Sequence, residues 1–295
     1  MSSSERAARV LKSLKAEEWK ALEGLERALM AYGTADSGMV SRRSRVPHER
    51  TLFALDQLGK KGLVAGRGTN YTLTTEAVET LALRDYVRKD LISALGAVIA
   101  KGKESDVYET FDDEGSLFAL KFFKLGRTSF TRVRKKRFIE KSDMKSWITV
   151  NYEAARREYG ALKRLRGLGP SFPKAVAFNR STVLLEELSG VRLTQRPDLD
   201  DPRAVLDLCL LAARKAFVDA GLVNGDLSEY NILTDGLRVW LIDWPQAVLS
   251  SHPNSTDLLH HDVTAVVRFF RRAYGVAVDE EAAFSYVRGQ SSSLE

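Results

Sequence analysis

Cysteine is almost missing from this 295-residue chain: Cys209 stands alone. No internal disulfide can form, so a reducing compartment is expected. Histidine is also scarce, and four scattered histidines with one cysteine offer no ligand cluster for structural zinc. His260-His261 is expected at the start of a helix. No apolar run approaches a membrane span, and residues 1–6 lack the apolar core of a signal peptide, so a cytoplasmic location is expected. With 44% hydrophobic residues the chain can still bury one large or two medium cores. Cys209, inside the apolar stretch 205–211, reads as core packing.

The chemistry is concentrated in two short stretches. Asn224-Gly225-Asp226-Leu227-Ser228-Glu229-Tyr230-Asn231 is followed by Ile242-Asp243-Trp244-Pro245-Gln246. Between them lie Ile232–Thr234, an Asp235-Gly236 turn and the apolar run 237–242, a pattern for a two-strand hairpin with a turn that accepts positive φ. Such a hairpin brings Asn231 and Asp243 to its open end. There, amide and carboxylate oxygens suit a hard divalent cation bridging ATP phosphates, and Asp226 is placed to orient or deprotonate a nucleophile. Asp-x-x-x-x-Asn alone is a weak signal, because both residues are common turn formers. The hairpin and the Ile-Asp step give it weight.

An ATP site needs a second wall, and its parts appear upstream in order. Gly102-Lys103-Glu104-Ser105-Asp106 is a polar turn between apolar strands at 97–99 and 107–109, whose backbone amides and Ser105 hydroxyl are candidate phosphate donors. Its glycine content is low, and an ordinary hairpin turn is the competing reading. Lys121 then sits inside the apolar run Leu117–Phe123, where an ammonium must reach a partner or water. The alternatives are phosphate pairing and an edge-strand lysine whose charge snorkels out.

The order cradle, lysine, Asp-x-x-x-x-Asn, Asp resembles that of protein kinases, and the motif details resemble the RIO family of atypical kinases. Gly126-Arg127-Thr128-Ser129-Phe130, His252-Pro253-Asn254 and a leading N-terminal module are similar to its winged-helix-bearing type-two branch. The resemblance implies an α+β fold, an N-terminal winged helix followed by a compact two-lobe kinase-like domain. It implies ATP and Mg2+ as cofactors, Asp226 and Asp243 as catalytic residues, and Asn231 and Asp243 as metal ligands. Lys121 would pair with phosphates and Glu158 would hold Lys121, the alternative for Glu158 being an exposed residue paired with a neighbouring arginine. By the same resemblance Lys103, Ser105, Glu186 and Leu188 would complete the nucleotide contacts. Three positions depart from the usual pattern: Asn224 where kinases commonly carry histidine, Ala100 at the first cradle glycine, and Trp244 where many relatives carry phenylalanine. None removes a reacting group.

Residues 1–84 have a different texture and are expected to form the winged helix, with the kinase-like domain at 85–295, its first lobe about 90–187 and its second about 188–295. The spacing predicts a helix over 16–32 with Trp19, Leu22, Leu25 and Leu29 on one side. A second is expected over 47–60 with Leu52, Leu55 and Leu58 as apolar positions. Leu63–Ala65 and Tyr71–Leu73 flank a glycine-rich tip, and a further helix spans 75–89. Arg42, Arg43, Arg45, Lys60, Lys61 and Arg67 supply a basic surface suited to phosphate contact, the alternative being a solvated basic face.

The segment 124–145 carries nine Lys or Arg against Glu140 and Asp143, a net of +7 where the whole chain has +6. It is expected to bind RNA or to fold over nucleotide, and Ser129 and Thr128 are phosphorylation candidates within it. After Asp243 a single long helix over 257–274, with Val263, Val266, Val267, Phe269 and Phe270 on its apolar face, leaves no expected room for a peptide-binding lobe. The resulting expectation is an ATP-dependent serine/threonine protein kinase or ATPase. The resemblance implies action in small ribosomal subunit maturation, with rRNA or pre-small-subunit particles as partners and neither membrane nor DNA. An RNA-binding adaptor that holds ATP structurally, or a small-molecule kinase, are the alternatives.

Overall fold

The computed structural model describes residues 1–68, 70–125 and 147–294. Gly126 to Lys145, with Thr128 and Ser129, therefore lies outside the described residues, as does Thr69 at the hairpin tip. The rest divides into two compact units. The first holds Met1–Ala155 and Phe178–Leu184, and the second Arg156–Ala177 and Leu185–Glu295.

The first unit opens with helix α1 (Ser3–Leu11). Ser2 caps it, accepting from the Glu5 N–H, while the Glu5 carboxylate accepts from the Ser2 N–H. Helix α2 spans Ala16–Tyr32, and Trp19, Leu22 and Leu25 are buried with Leu29 half-buried. Helix α3 (Ser37–Ser44) was not expected. Asp36 caps it by accepting from the Met39 N–H, and it comes so close to α2 that a Cβ on Gly24 would lie 2.8 Å from the Ser44 Cβ. Helix α4 (His48–Lys60) starts one residue later than expected, after Pro47. Its buried face is Thr51, Ala54, Leu55 and Leu58, and Leu52 is exposed. That corrects the expected apolar face: small Thr51 and Ala54 fill positions against α2 that the larger Leu52 was expected to take. Strands β1 (Val64–Arg67) and β2 (Asn70–Leu73) pair antiparallel as the wing, and α5 (Thr75–Val87) follows with Thr74 as cap.

The same unit continues into an antiparallel meander of β3 (Ala94–Lys101), β4 (Ser105–Phe111) and β5 (Leu117–Phe123). Asp106, Tyr108 and Thr110 alternate onto the buried face of β4, as period-two geometry requires. Strands β6 (Ala175–Asn179) and β7 (Thr182–Glu186) extend the sheet in the order β3-β4-β5-β7-β6.

Two polar clusters, the first half-buried and the second mostly buried, tie the winged helix to this sheet. Arg180, at φ 52° in the turn before β7, forks its guanidinium onto the Glu26 carboxylate at 2.7 and 2.9 Å. It also reaches Asp85 at 2.6 Å. The Tyr152 hydroxyl donates to the same Glu26. In the second cluster Lys124 bonds Asp106 and lies 3.7 Å from Glu79, which also accepts from the Ser3 hydroxyl. Burial pushes the Glu79 carboxyl up to about 7 despite the nearby Lys124 ammonium.

The second unit is mostly helical. Helix α6 (Trp147–Leu165) carries residues of both units. Helices α7 (Pro202–Val218), α8 (Ser255–Tyr274) and α9 (Glu280–Val287) surround a core that includes Cys209, Leu210, Leu241, Trp244, Val266 and Phe270. Two antiparallel pieces sit in it. One is the sheet of β8 (Val191–Arg192), β10 (Ile232–Thr234) and β11 (Val239–Leu241). The other is the pair β9 (Leu222–Val223) and β12 (Val248–Leu249). Among the described residues no helix is long and apolar enough to cross a membrane.

Candidate active site

The expected hairpin is present: Ile232 pairs with Leu241 and Thr234 with Val239, and Gly236 takes φ 89° in the turn. The residues at its open end are fixed by side chains bonding to main chain. Asn231 donates its amide to the Asp226 carbonyl at 2.8 Å, and its own carbonyl accepts from the Ile242 N–H at 2.9 Å. The first bond closes the loop 226–231 into a ring, and the second anchors the ring to the strand that leads to Asp243. Asp243 itself adopts φ 68°, a left-handed conformation unusual for a side chain larger than glycine.

Asn224 connects the two motifs. Its amide donates to the Asp243 carbonyl at 3.0 Å and its oxygen accepts from the Asp226 N–H at 3.2 Å. An asparagine in place of the common histidine therefore still bonds backbone, as its donor and acceptor chemistry allows. Trp244 likewise keeps the role of an aromatic wedge. It is buried, donates to the Leu241 carbonyl at 2.8 Å and meets Phe172 edge-on at 5.9 Å.

One site residue escaped the sequence reading. Asp262 on α8 is buried, and its two carboxylate oxygens accept from the N–H groups of Gly225 at 2.8 Å and Leu227 at 2.9 Å, one on each side of Asp226. Gly225 stands at φ 80°, which lets the chain turn so that both N–H groups face Asp262. Burial raises the Asp262 carboxyl to about 7, with the Asp226 charge adding to the rise and the two N–H donors opposing it. An acid amid the apolar positions of α8 was the available signal, since a buried carboxylate must find donors.

Asp226 is raised above the usual carboxylate range, first by burial and then by the like charge of Asp243. His261 and a hydrogen bond from Asn231 work the other way. Two mutually repelling carboxylates are hard-oxygen donors whose repulsion a divalent cation would relieve, and the Asn231 amide is bonded into the same loop. Magnesium commonly uses one or two carboxylates, its other positions going to water and phosphate. The residues present thus fit the group the sequence implies.

The remaining candidates lie as follows. In the first unit, Gly102 N–H bonds the Ser105 carbonyl at 2.8 Å to close the cradle turn, with Lys103 exposed and Ser105 half-buried. Lys121 lies on an interior strand opposite Val107, is 5% exposed, and places its ammonium 4.8 Å from the Phe123 ring centre. That is no snorkelling edge lysine. In the second unit Glu158 is buried on α6. The Glu186 carboxylate accepts from the Lys174 N–H at 3.0 Å and pairs with its ammonium at 3.1 Å, while Leu188 is half-buried beyond β7.

The basic surface of the winged helix is partly spent internally. Lys61 bonds the buried Glu18 at 2.7 and 2.8 Å, Lys60 pairs with Asp56 at 2.7 Å, and Arg43 bonds the Tyr32 hydroxyl at 2.7 Å.

A family model described as the RIO domain matches residues 106–283. The chain belongs to the RIO family. Members of its type-two branch resemble the chain along most of its length, as the motifs implied. The serine/threonine-protein kinase RIO2 of Caenorhabditis elegans is 31% identical over 94% of this chain and 54% of its own length. The RIO-type serine/threonine-protein kinase Rio2 of Methanocaldococcus jannaschii is 30% identical over 84% of this chain and 95% of its own. The chain thus spans about half of the nematode protein and nearly all of the archaeal one. Among solved RIO structures, the Rio2 kinase of Chaetomium thermophilum in its ADP/Mg2+-phosphoaspartate complex superposes with a TM-score of 0.80. It is 26% identical, over 95% of this chain and 88% of that one.

Proposed function

We propose that this RIO protein is an atypical serine/threonine protein kinase or ATPase that transfers the γ-phosphoryl group of Mg-ATP and acts in small ribosomal subunit maturation. The observation that carries the phosphoryl-transfer reading is the bonded set Asn224, Asp226, Asn231 and Asp243, which holds two carboxylates and an amide at one hairpin mouth. When bound there, Mg2+ neutralises charge on the phosphates. Asn231 and Asp243 are its ligands and Asp226 orients the attacking group. Lys121, with Lys103 and Ser105 of the cradle, holds phosphate, Glu158 positions Lys121, and Glu186 and Leu188 contact the rest of the nucleotide.

Asp243 is also proposed as the first acceptor. One of its carboxylate oxygens attacks the γ-phosphorus, the bond to the β–γ bridging oxygen breaks, and ADP leaves with that electron pair. Water then cleaves the acyl phosphate. The phosphoaspartate complex of the Chaetomium relative supports this step. The winged helix and the basic segment 124–145 support docking on rRNA, and a cytoplasmic location accords with the single buried cysteine.

The test is a single turnover with γ-labelled ATP, separating free phosphate from phosphoprotein and then treating the latter with hydroxylamine. Label released by hydroxylamine and mapped to Asp243 is the expected result. Label only on serine or threonine would remove the acyl-phosphate step, and no turnover at all would remove the enzyme.

A further inference from the structure

Two residues of the loop 226–231 line a pocket of about 310 Å³ whose lining lies entirely within the second unit. Glu229 and Tyr230 supply one wall, Thr194 and Arg196 a second, and Phe269 and Arg272 of α8 the third. Its charges are unevenly satisfied. Arg196, held at φ 49° just after a short 3-10 turn, makes no side-chain hydrogen bond or ion pair among the described residues. Arg272 has only a contact at 4.0 Å with Glu229, and its side chain is 69% exposed. Its neighbours on the same helix, Arg268 and Arg271, are instead both committed to Glu280.

Two guanidinium groups and one loosely held carboxylate leave the pocket with a net positive charge, and a planar guanidinium fork suits carboxylate or phosphate oxygens. The charge is local. A nucleic-acid strand carries a phosphate at every step and needs a track of cations, whereas here the next arginines along α8 are already paired and Glu229 repels a polyanion. A single anionic side chain on a polypeptide needs no such track and faces one carboxylate against two guanidinium groups, and the exposed ring of Tyr230 gives its flanking residues an apolar surface.

We infer that this pocket recognises one phosphorylated or acidic side chain of a bound protein segment, and so orients that segment on the proposed catalytic loop. The inference names the class of protein segment that the kinase reading proposed above would bind and rests on that reading for its role, while its binding step is measurable without ATP.

The experiment uses the full chain and two short peptides that differ only in whether their one serine is phosphorylated. Each is titrated while the Nε–Hε NMR signals of Arg196 and Arg272 are followed. The phosphopeptide is expected to shift both signals saturably, and the unmodified peptide to shift neither. Arg196→Gln and Arg272→Gln should each weaken phosphopeptide binding about tenfold, the loss expected for one charge-assisted bond. Glu229→Gln, which removes the internal competitor, should strengthen it. Both arginines are exposed, and unchanged thermal unfolding will confirm that the variants fold.

Equal shifts from both peptides, or phosphopeptide affinity unchanged in both arginine variants, would overturn the inference. So would a single-stranded oligoribonucleotide that binds more tightly than the phosphopeptide and loses that binding in Arg272→Gln. ATP turnover by the unmodified chain, measured in parallel, reports separately on the catalytic reading.

Discussion

The side-chain amide of Asn224 donates to the main-chain carbonyl of Asp243 across 19 positions of sequence, at 3.0 Å. With its other end on the Asp226 N–H, this one buried residue sets the spacing of the two carboxylates through their backbones. Asn224→Ala should therefore cost about 1 kcal/mol of stability, because it leaves a part-buried carbonyl and a part-buried N–H without their partner. It should also slow turnover. Urea unfolding and single-turnover rates check both, and a variant with normal turnover would show that the spacing is held some other way.

Asp262 acts on the same loop from the opposite side. In Asp262→Asn one amide oxygen can still accept, but the new NH2 group faces an N–H donor, so one bond is lost and a repulsion gained. The expected result is a fall in kcat with a smaller change in nucleotide affinity, since Asp262 touches only the loop backbone. A variant that loses nucleotide affinity while turning over normally would contradict the positioning role.

Lys121→Ala and Asp226→Ala should separate in their effects. In the proposed mechanism the first removes a charge that positions phosphates in the ground state, and the second a group that acts mostly as the bond breaks. Nucleotide affinity should fall mainly in Lys121→Ala, and the rate of the chemical step mainly in Asp226→Ala. Full activity in the second would refute the assigned mechanism.

Stability should fall as pH rises from about 4 to about 7, the interval between ordinary and folded-state carboxyl values. Glu79 and Asp262 both titrate near 7 in the folded chain, above their ordinary 4.5 and 3.8. Across that interval the unfolded chain releases protons that the folded chain keeps. The contribution is complete below the lower value and gone above the upper one. Denaturation midpoints across the range should decline with pH, and Glu79→Gln combined with Asp262→Asn should flatten the decline.

Arg180→Ala should destabilise the first unit by about 1–3 kcal/mol, the usual cost of leaving a partly buried carboxylate short of a charge-assisted partner. It would leave the Glu26 carboxylate, with 12% of its side chain exposed, without its forked partner. Thermal unfolding of the full chain measures the loss, and a shift no larger than a surface substitution gives would show that water replaces the guanidinium freely.

Where local pattern and tertiary environment agree, the sequence was legible. The bounds of α2, the wing hairpin, the β10–β11 hairpin and the apolar face of α8 all followed from spacing and turn chemistry. Helix α3 did not, because eight residues with only Met39 and Val40 as large apolar side chains carry almost no periodic signal. Its stability comes from the Asp36 cap and the close approach at Gly24. The exposure of Leu52 was hidden for a related reason: hydrophobicity alone cannot choose between faces when Thr51 and Ala54 fit the contact better. Asp262 stands out as an acid among apolar positions, but its partners were out of reach, since they lie 35 and 37 positions away. Motif order supplied the candidate residues, and long-range hydrogen bonds decide how they are held.

The bond from Asn231 to the Asp226 carbonyl also settles which way round the asparagine amide sits. With the nitrogen engaged, the oxygen is the end left to face a cation, and the group cannot flip without breaking the ring. Aspartate at this position would bring a full negative charge and, in isolation, a stronger magnesium ligand. It would have no hydrogen to offer Asp226 and would set an anion against a carbonyl oxygen. As the proposed metal ligand, the residue at this position is a neutral group that is weaker for the metal and better for the loop, and a substitution that improves the coordination chemistry is predicted to spoil the geometry on which that chemistry depends.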